Sequence, residues 1–142
     1  MAAALFKRAI VDGTPIKVFN FGRMRRDFTY IDDIVEGVVR VLSRPPEATD
    51  AGAAPYAIYN IGNHTAIDLE SFIGELERLL GKRAVREYLP PQPGDVPATF
   101  AAIDRIATAT GFAPTTSLAE GLRRFVAWYL DYYRADGSAR AT

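Results

Sequence analysis

Two adjacent arginines, Arg25 and Arg26, open the stretch MRRDFTYIDD at Met24–Asp33. A guanidinium fork can grip a phosphate through two parallel charge-assisted hydrogen bonds. The setting suits an anion, because the pair lies at a strand–turn–strand junction. The same residue types also serve as solvated charge in a surface loop. A second candidate lies in PPQPGDVP, Pro90–Pro97, where Gln92-Pro93-Gly94-Asp95 places Pro and Gly at the centre of a type II turn. The Asp95 carboxylate could accept hydrogen bonds from a pair of ribose hydroxyls, or stand as an exposed turn acid. Gln92, at the first position of that turn, could donate to a phosphate or sugar oxygen.

Other groups offer less chemistry. Asp32 and Asp33 could be paired acid–base carboxylates, but a helix start explains them without chemistry, with Asp32 as N-cap and Asp33 in the first turn. His64 is the only histidine, and with no cysteine in the chain it has no partner for a His/Cys metal site; it reads as a loop residue, and no metal is expected. No G-x-G-x-x-G is present, and none of the seven tyrosines has a lysine four residues later. The residues describe a ligand-contacting surface without an evident catalytic base.

The elements that must position these groups follow from periodicity. Apolar spacing predicts a helix over Ala2–Asp12, stopped by Gly13 and Pro15. Ile16–Asn20 reads as a strand, Phe21-Gly22-Arg23 as a turn, and Asp27–Ile31 as a second strand. Ile34, Val35, Val38, Val41 and Leu42 recur at helical spacing before Pro45-Pro46. Arg44–Pro55 is a loop. Tyr56–Ile61, YAIYNI, has the near-continuous apolar character of a strand buried on both faces of a parallel sheet, yet the chain supplies few neighbours for it. Partner strands outside this chain are therefore expected. Asp68 can cap a helix facing inward through Leu69, Phe72, Ile73, Leu76, Leu79 and Leu80, with Gly81 as its left-handed terminator. Ala84–Leu89 is a strand. Ile103–Thr110 is a short helix ended by Gly111. Ser117–Glu120 forms a capping box for a last helix, whose face Leu118, Leu122, Phe125, Tyr129 and Tyr132 points inward. Core packing is also expected of the aromatic cluster Phe125, Trp128, Tyr129, Tyr132 and Tyr133.

Composition bounds the rest. The 142 residues make one ordinary domain, 24% charged and 49% hydrophobic, so a globular chain is expected. Seventeen basic residues balance 17 acidic ones, which gives no electrostatic case for nucleic acid or an anionic membrane. Any anion site must be local. The lack of cysteine excludes disulfides and a thiolate nucleophile and fits a cytoplasmic setting. The N-terminal residues have no run long enough for a signal peptide or a membrane span.

Four stretches carry a resemblance by their order and spacing: IKVFNFGRMRRDFTYIDDIVEGVVRVL, YNIGN, QPGDVPATFA and TSLAEGLRRFVAWYLDYY. Together they resemble the C-terminal half of extended short-chain dehydrogenase/reductases acting on nucleotide sugars, in particular the bacterial NAD-dependent UDP-glucuronate 4-epimerase branch. The resemblance runs to about residue 134. It implies an α/β fold in which residues 1–135 are the UDP-sugar-binding C-terminal portion, with a late strand and helices of the Rossmann sheet. The N-terminal dinucleotide-binding half is lacking, and 136–142 form a disordered tail. On this resemblance Lys17, Val18 and Phe19 match the strand that packs on the uracil and contacts it through backbone groups. Arg26 matches the arginine that binds the diphosphate, and Asp95 the acid near the uridine ribose. Gln92 stands where many relatives carry arginine, and it cannot replace a guanidinium; the Gln form resembles the glucuronate-epimerase branch.

The family's chemistry is hydride removal from the sugar C4 by NAD, rotation of the keto intermediate and hydride return. Its tyrosine base, lysine, Ser/Thr partner and NAD loop belong to the N-terminal half, so no catalytic residue is assigned here. NAD is expected to be bound by that absent half, and no cofactor by this chain alone. Expected partners are a UDP-sugar and the missing Rossmann half, in the same polypeptide or a separate chain, with a possible homodimer of the full enzyme. The chain alone is expected to be inactive. Two alternatives stay open: a stand-alone non-catalytic UDP-sugar-binding module, or a fragment of a UDP-glucuronate decarboxylase or 4,6-dehydratase.

Overall fold

Apolar spacing and turn chemistry set most of the local structure. The computed structural model describes residues 2–47 and 54–135. Helices form over Ala2–Asp12 (α1), Ile31–Leu42 (α2), Leu69–Leu80 (α3), Asp104–Thr110 (α4) and Leu118–Ala135 (α5). Short strands form over Ile16–Val18 (β1), Arg25–Asp27 (β2), Ala66–Asp68 (β3) and Arg86–Tyr88 (β4). The class is α/β, as expected. Gly81 (φ 65°) and Gly111 (φ 70°) end α3 and α4 in the left-handed conformation that favours glycine. At the start of α5, Ser117 Oγ accepts the Glu120 N–H at 3.2 Å. Glu120 turns its own carboxylate to Arg123 and Arg124, so only half of the capping box forms.

The strands make two separate pairs. β1 runs parallel to β4, with Ile16 opposite Arg86 and Val18 opposite Tyr88. β2 runs antiparallel to β3, with Arg25 opposite Asp68 and Asp27 opposite Ala66. The main core joins α1, β1, α3 and α5 through Ile10, Val18, Phe72, Ile73, Leu76 and Leu122. Phe28 stacks on Phe72 at 4.2 Å, and Phe6 meets Phe72 edge-on at 6.1 Å. A smaller cluster of Ile103, Ile106 and Phe112 takes in Val41, Tyr59 and Ile61.

Several expectations need correction. The first strand stops at Val18, because Asn20 (φ 50°) and Phe21 (φ 52°) turn left-handed, fixed by Asn20 Nδ2 donating to Arg23 O at 2.8 Å. The second strand lies upstream of Asp27–Ile31, at Arg25–Asp27, where β3 gives it a ladder. Asp32 is not the N-cap of α2. Tyr30 holds that position without a side-chain cap bond.

Tyr56–Ile61 is not a strand: it forms no ladder among the described residues. Tyr59 and Ile61 pack on the smaller cluster, while Tyr56 is 77% and Ile58 72% exposed. A pattern that suits a doubly buried strand thus has one face covered and no strand neighbour among the described residues. The inward face of α5 is Leu118, Leu122, Phe125 and Val126, whereas Trp128 and Tyr132 are more than half exposed, so the aromatic cluster is only partly core. The proposed tail 136–142 and part of the Arg44–Pro55 loop lie outside the described residues.

Candidate functional site

Strand alternation sends neighbouring side chains to opposite faces, and this separates the two arginines. Arg25 turns to β3, where Nη2 donates to Ala66 O at 2.8 Å and Nε lies 3.4 Å from Asp68 Oδ1. Arg25 thus lies on the β3 side of the strand, away from Asp95. Arg26 turns the other way. Its Nη1 donates to Arg25 O at 2.9 Å and to Pro97 O at 3.4 Å, and its Nη2 lies 3.8 Å from Asp95 Oδ1. The structure thus brings Arg26 and Asp95 together across 69 residues of sequence, numbers 26 and 95.

The loop carrying Asp95 is built as its sequence predicts. The Asp95 N–H donates to Gln92 O at 3.1 Å, and Gly94 has φ 85°, which a type II turn requires at that place. Gln92 is exposed at the start of this turn. The loop is anchored at both ends to the other candidates. At its start, the Leu89 N–H donates to Val18 O at 3.0 Å. Beyond its end, the Arg25 N–H donates to Pro97 O at 2.8 Å and the Thr99 N–H to Arg25 O at 3.2 Å.

Val18 is fully buried and Phe19 packs against the main core, so neither offers a free side chain. What β1 offers is backbone. The Ile16 N–H and Val18 O bond toward β4. Alternation then turns the N–H and C=O of the exposed Lys17 to the opposite edge, which has no strand neighbour among the described residues.

Arg26 also lines a groove of about 700 Å³ with Phe28, Thr29, Thr116, Ser117 and Phe125. It lies where the starts of α1, α2 and α5 converge. Its wall is mostly apolar, with hydroxyls from three of these residues.

Two carboxylates that hold the site together are not evident from sequence pattern. Asp27 Oδ1 accepts the Asn63 N–H at 3.0 Å, and Oδ2 accepts His64 N–H at 3.0 Å and Ala101 N–H at 2.9 Å. An acid inside a short strand, where aspartate is uncommon, is the one signal that could have marked it. Asp33 is buried, and accepts from Thr115 N and Oγ1 at 3.2 Å and from Thr116 N at 3.0 Å. Burial pushes its carboxyl up, but those hydrogen bonds outweigh burial and hold it below the usual aspartate value. Asp33 lies in the first turn of α2, as expected, and also ties α2 to the entry of α5. His64 is a loop residue with φ 56°, its Nδ1 2.7 Å from Ala101 O. Among the described residues no group of three or more His, Cys, Asp or Glu could hold a metal ion, and no helix is long and apolar enough to cross a membrane.

Residues 1–62 match the NAD dependent epimerase/dehydratase family. Over 94% of its length the chain is 43% identical to Protein CapI of Staphylococcus aureus, and 43% identical to the probable UDP-glucuronate 4-epimerase of Rhizobium meliloti. The chain belongs to the NAD-dependent epimerase/dehydratase family. A solved member of the epimerase/dehydratase family, UDP-glucuronic acid 4-epimerase from Bacillus cereus in complex with UDP-glucuronic acid and NAD, superposes on 94% of this chain with TM-score 0.79 and 30% identity. The chain spans 43% and 42% of the two curated relatives and 40% of the Bacillus cereus chain. The chain thus spans less than half the length of each of these relatives.

Proposed function

We propose that this chain is the UDP-sugar-binding C-terminal portion of an NAD-dependent nucleotide-sugar 4-epimerase of the UDP-glucuronate type. The observation that carries the reading is one loop with both ends tied to candidate contacts. At one end the Leu89 N–H bonds Val18 O, on the strand that carries Lys17; at the other the Arg25 N–H bonds Pro97 O, beside the pair of Arg26 and Asp95. In this reading the Lys17 backbone contacts the uracil, Asp95 accepts the ribose hydroxyls and Arg26 takes the diphosphate. Gln92 faces the same ligand as a neutral group. The relatives named as UDP-glucuronate epimerases support the substrate class.

NAD does not fit the residues present. There is no glycine-rich loop to receive a pyrophosphate and no Tyr-x-x-x-Lys pair. The cofactor would be held by the remaining, sheet-bearing half, and this chain's own part is to bind and orient the nucleotide sugar. Two surfaces support a missing half. On α2, Ile31, Val35, Val38, Val39 and Leu42 are all exposed, and the open segment 56–61 exposes Tyr56 and Ile58. Apolar surface of this kind ordinarily marks an interface.

Arg26→Ala should weaken UDP binding by about 1.5–3 kcal/mol, the usual worth of a hydrogen bond to a charged group. Calorimetric titration with UDP checks this, and an unchanged dissociation constant removes Arg26 from the site. The pure 142-residue chain, mixed with NAD and UDP-glucuronate, should form no C4 epimer. Robust turnover would overturn the fragment reading.

A further inference from the structure

We infer that Asp95 is the counter-ion of Arg26 and is displaced by an entering diphosphate, so that it opposes a bare diphosphate and favours one that carries a nucleoside. The inference rests on the reading above and adds a selection step to it.

The geometry is that of a pair waiting to be exchanged. Arg26 Nη1 is fixed by two backbone carbonyls, at 2.9 and 3.4 Å, which orients the guanidinium without ligand. Nη2 has only the Asp95 carboxylate beside it among the described residues, at 3.8 Å. That separation is electrostatic contact, beyond the length of a hydrogen bond. The Gln92 O bond and the Pro93-Gly94 centre set the backbone of this turn, so the Asp95 side chain alone carries its carboxylate toward Arg26 or away from it. A phosphate oxygen is not tethered and can approach Nη2 to about 2.8 Å. It would therefore replace the carboxylate on the arginine.

The exchange leaves two anions, diphosphate and Asp95, beside one cation. The Arg26 and Asp95 side chains are 26% and 34% exposed, so water screens this repulsion only in part. Ribose hydroxyls donating to Asp95 would satisfy the released carboxylate. Inorganic pyrophosphate has no such donors and leaves it unsatisfied. One acid thus couples the two ends of the ligand and discriminates against free pyrophosphate.

The test is titration of the chain with pyrophosphate, uridine and UDP, for wild type, Asp95→Asn, Asp95→Ala, Arg26→Ala and Asp68→Asn. Removing the Asp95 carboxylate should tighten pyrophosphate about two- to fivefold, the worth of one partly exposed ion pair. It should weaken uridine about fivefold or more. Opposite signs are the signature, because a merely structural effect would weaken both. Asp68→Asn removes the same charge from the Arg25 pair on the other face of β2 and should leave both ligands within about twofold. Unchanged or weaker pyrophosphate binding in both Asp95 variants overturns the inference. If Arg26→Ala weakens UDP while the Asp95 variants fail to tighten pyrophosphate, only the inference falls. If Arg26→Ala leaves UDP binding unchanged, or the wild type binds none of the three ligands, the binding reading falls with it.

Discussion

Glu77→Ala should lower the unfolding free energy by about 3 kcal/mol, the low end for breaking a buried ion pair by removing one partner. The Glu77 side chain is 5% exposed and that of Arg86 21%. Arg86 donates to it in a fork, Nη1 to Oε1 at 2.8 Å and Nη2 to Oε2 at 3.1 Å. The Ala84 N–H adds a bond to Oε1 at 2.7 Å. Without the carboxylate, Arg86 keeps only Glu70, at 3.1 Å, as an acidic partner, and the Ala84 N–H loses its acceptor. The effect reaches the candidate site because Glu77 lies on α3 and Arg86 on β4, the strand that holds β1 in place.

This pair also sets a pH dependence. Hydrogen bonds from Arg86, together with that from Ala84, hold the Glu77 carboxyl below its ordinary value despite burial. A depressed folded-state value means that the stabilisation is fully present above the ordinary glutamate range, near pH 4.3. It is lost as pH falls through the lower folded value. Glu120, held down to about 2 by Arg123 and Arg124, contributes a slope of the same sign. The difference between wild type and Glu77→Gln therefore isolates Glu77. Urea unfolding at a series of pH values should show the wild type losing more stability than the variant below about pH 4.3. Parallel curves would show that the fork contributes nothing.

Features governed by neighbours in sequence are legible in it. The bounds of α1, the Gly81 and Gly111 terminators and the Gln92–Asp95 turn all follow from local rules. Features that need a distant partner are not. Asp33 reads locally as a first-turn charge, but its partners Thr115 and Thr116 are 82 and 83 residues away. Tyr56–Ile61 has the composition of a strand, and composition cannot say whether a ladder partner is present. Tyr132 recurs at core spacing on α5, yet it stays 51% exposed. The left-handed pair Asn20-Phe21 is hidden for another reason: asparagine tolerates positive φ, but phenylalanine there is uncommon. Of the candidate site, Arg26 and Asp95 could be named from their sequence settings. Their contact could not, because it depends on the carbonyl of Pro97 meeting β2.

Asp27→Asn tests what fixes that contact, and should cost about 3 kcal/mol, roughly the loss of one or two hydrogen bonds to a charged group. Asp27 receives three backbone N–H groups, one on Oδ1 and two on Oδ2. Asparagine has one acceptor oxygen, and its amide N–H would face a backbone N–H on the other side. Neither amide orientation can serve all three. The loop has no slack to adapt, since an added Cβ at Gly62 would stand 2.4 Å from Ala101 Cβ and 2.9 Å from Asp27 Oδ2. The close approach of Gly62 and the carboxylate of Asp27 are one construction, joining segment 62–64 and Ala101 to β2. Ala101 ends the stretch that runs from the Asp95 turn past Pro97 and Thr99 along Arg25. Loosening it should let Asp95 drift from Arg26. The variant should therefore unfold at lower urea and also bind UDP more weakly under conditions where it remains folded. Asp68→Asn, which breaks only the more exposed pair with Arg25 on the same strand, should stay within about 1 kcal/mol of wild type. If the two variants lose equal stability, Asp27 is one surface acid among several, and the position of Arg26 beside Asp95 must be set elsewhere.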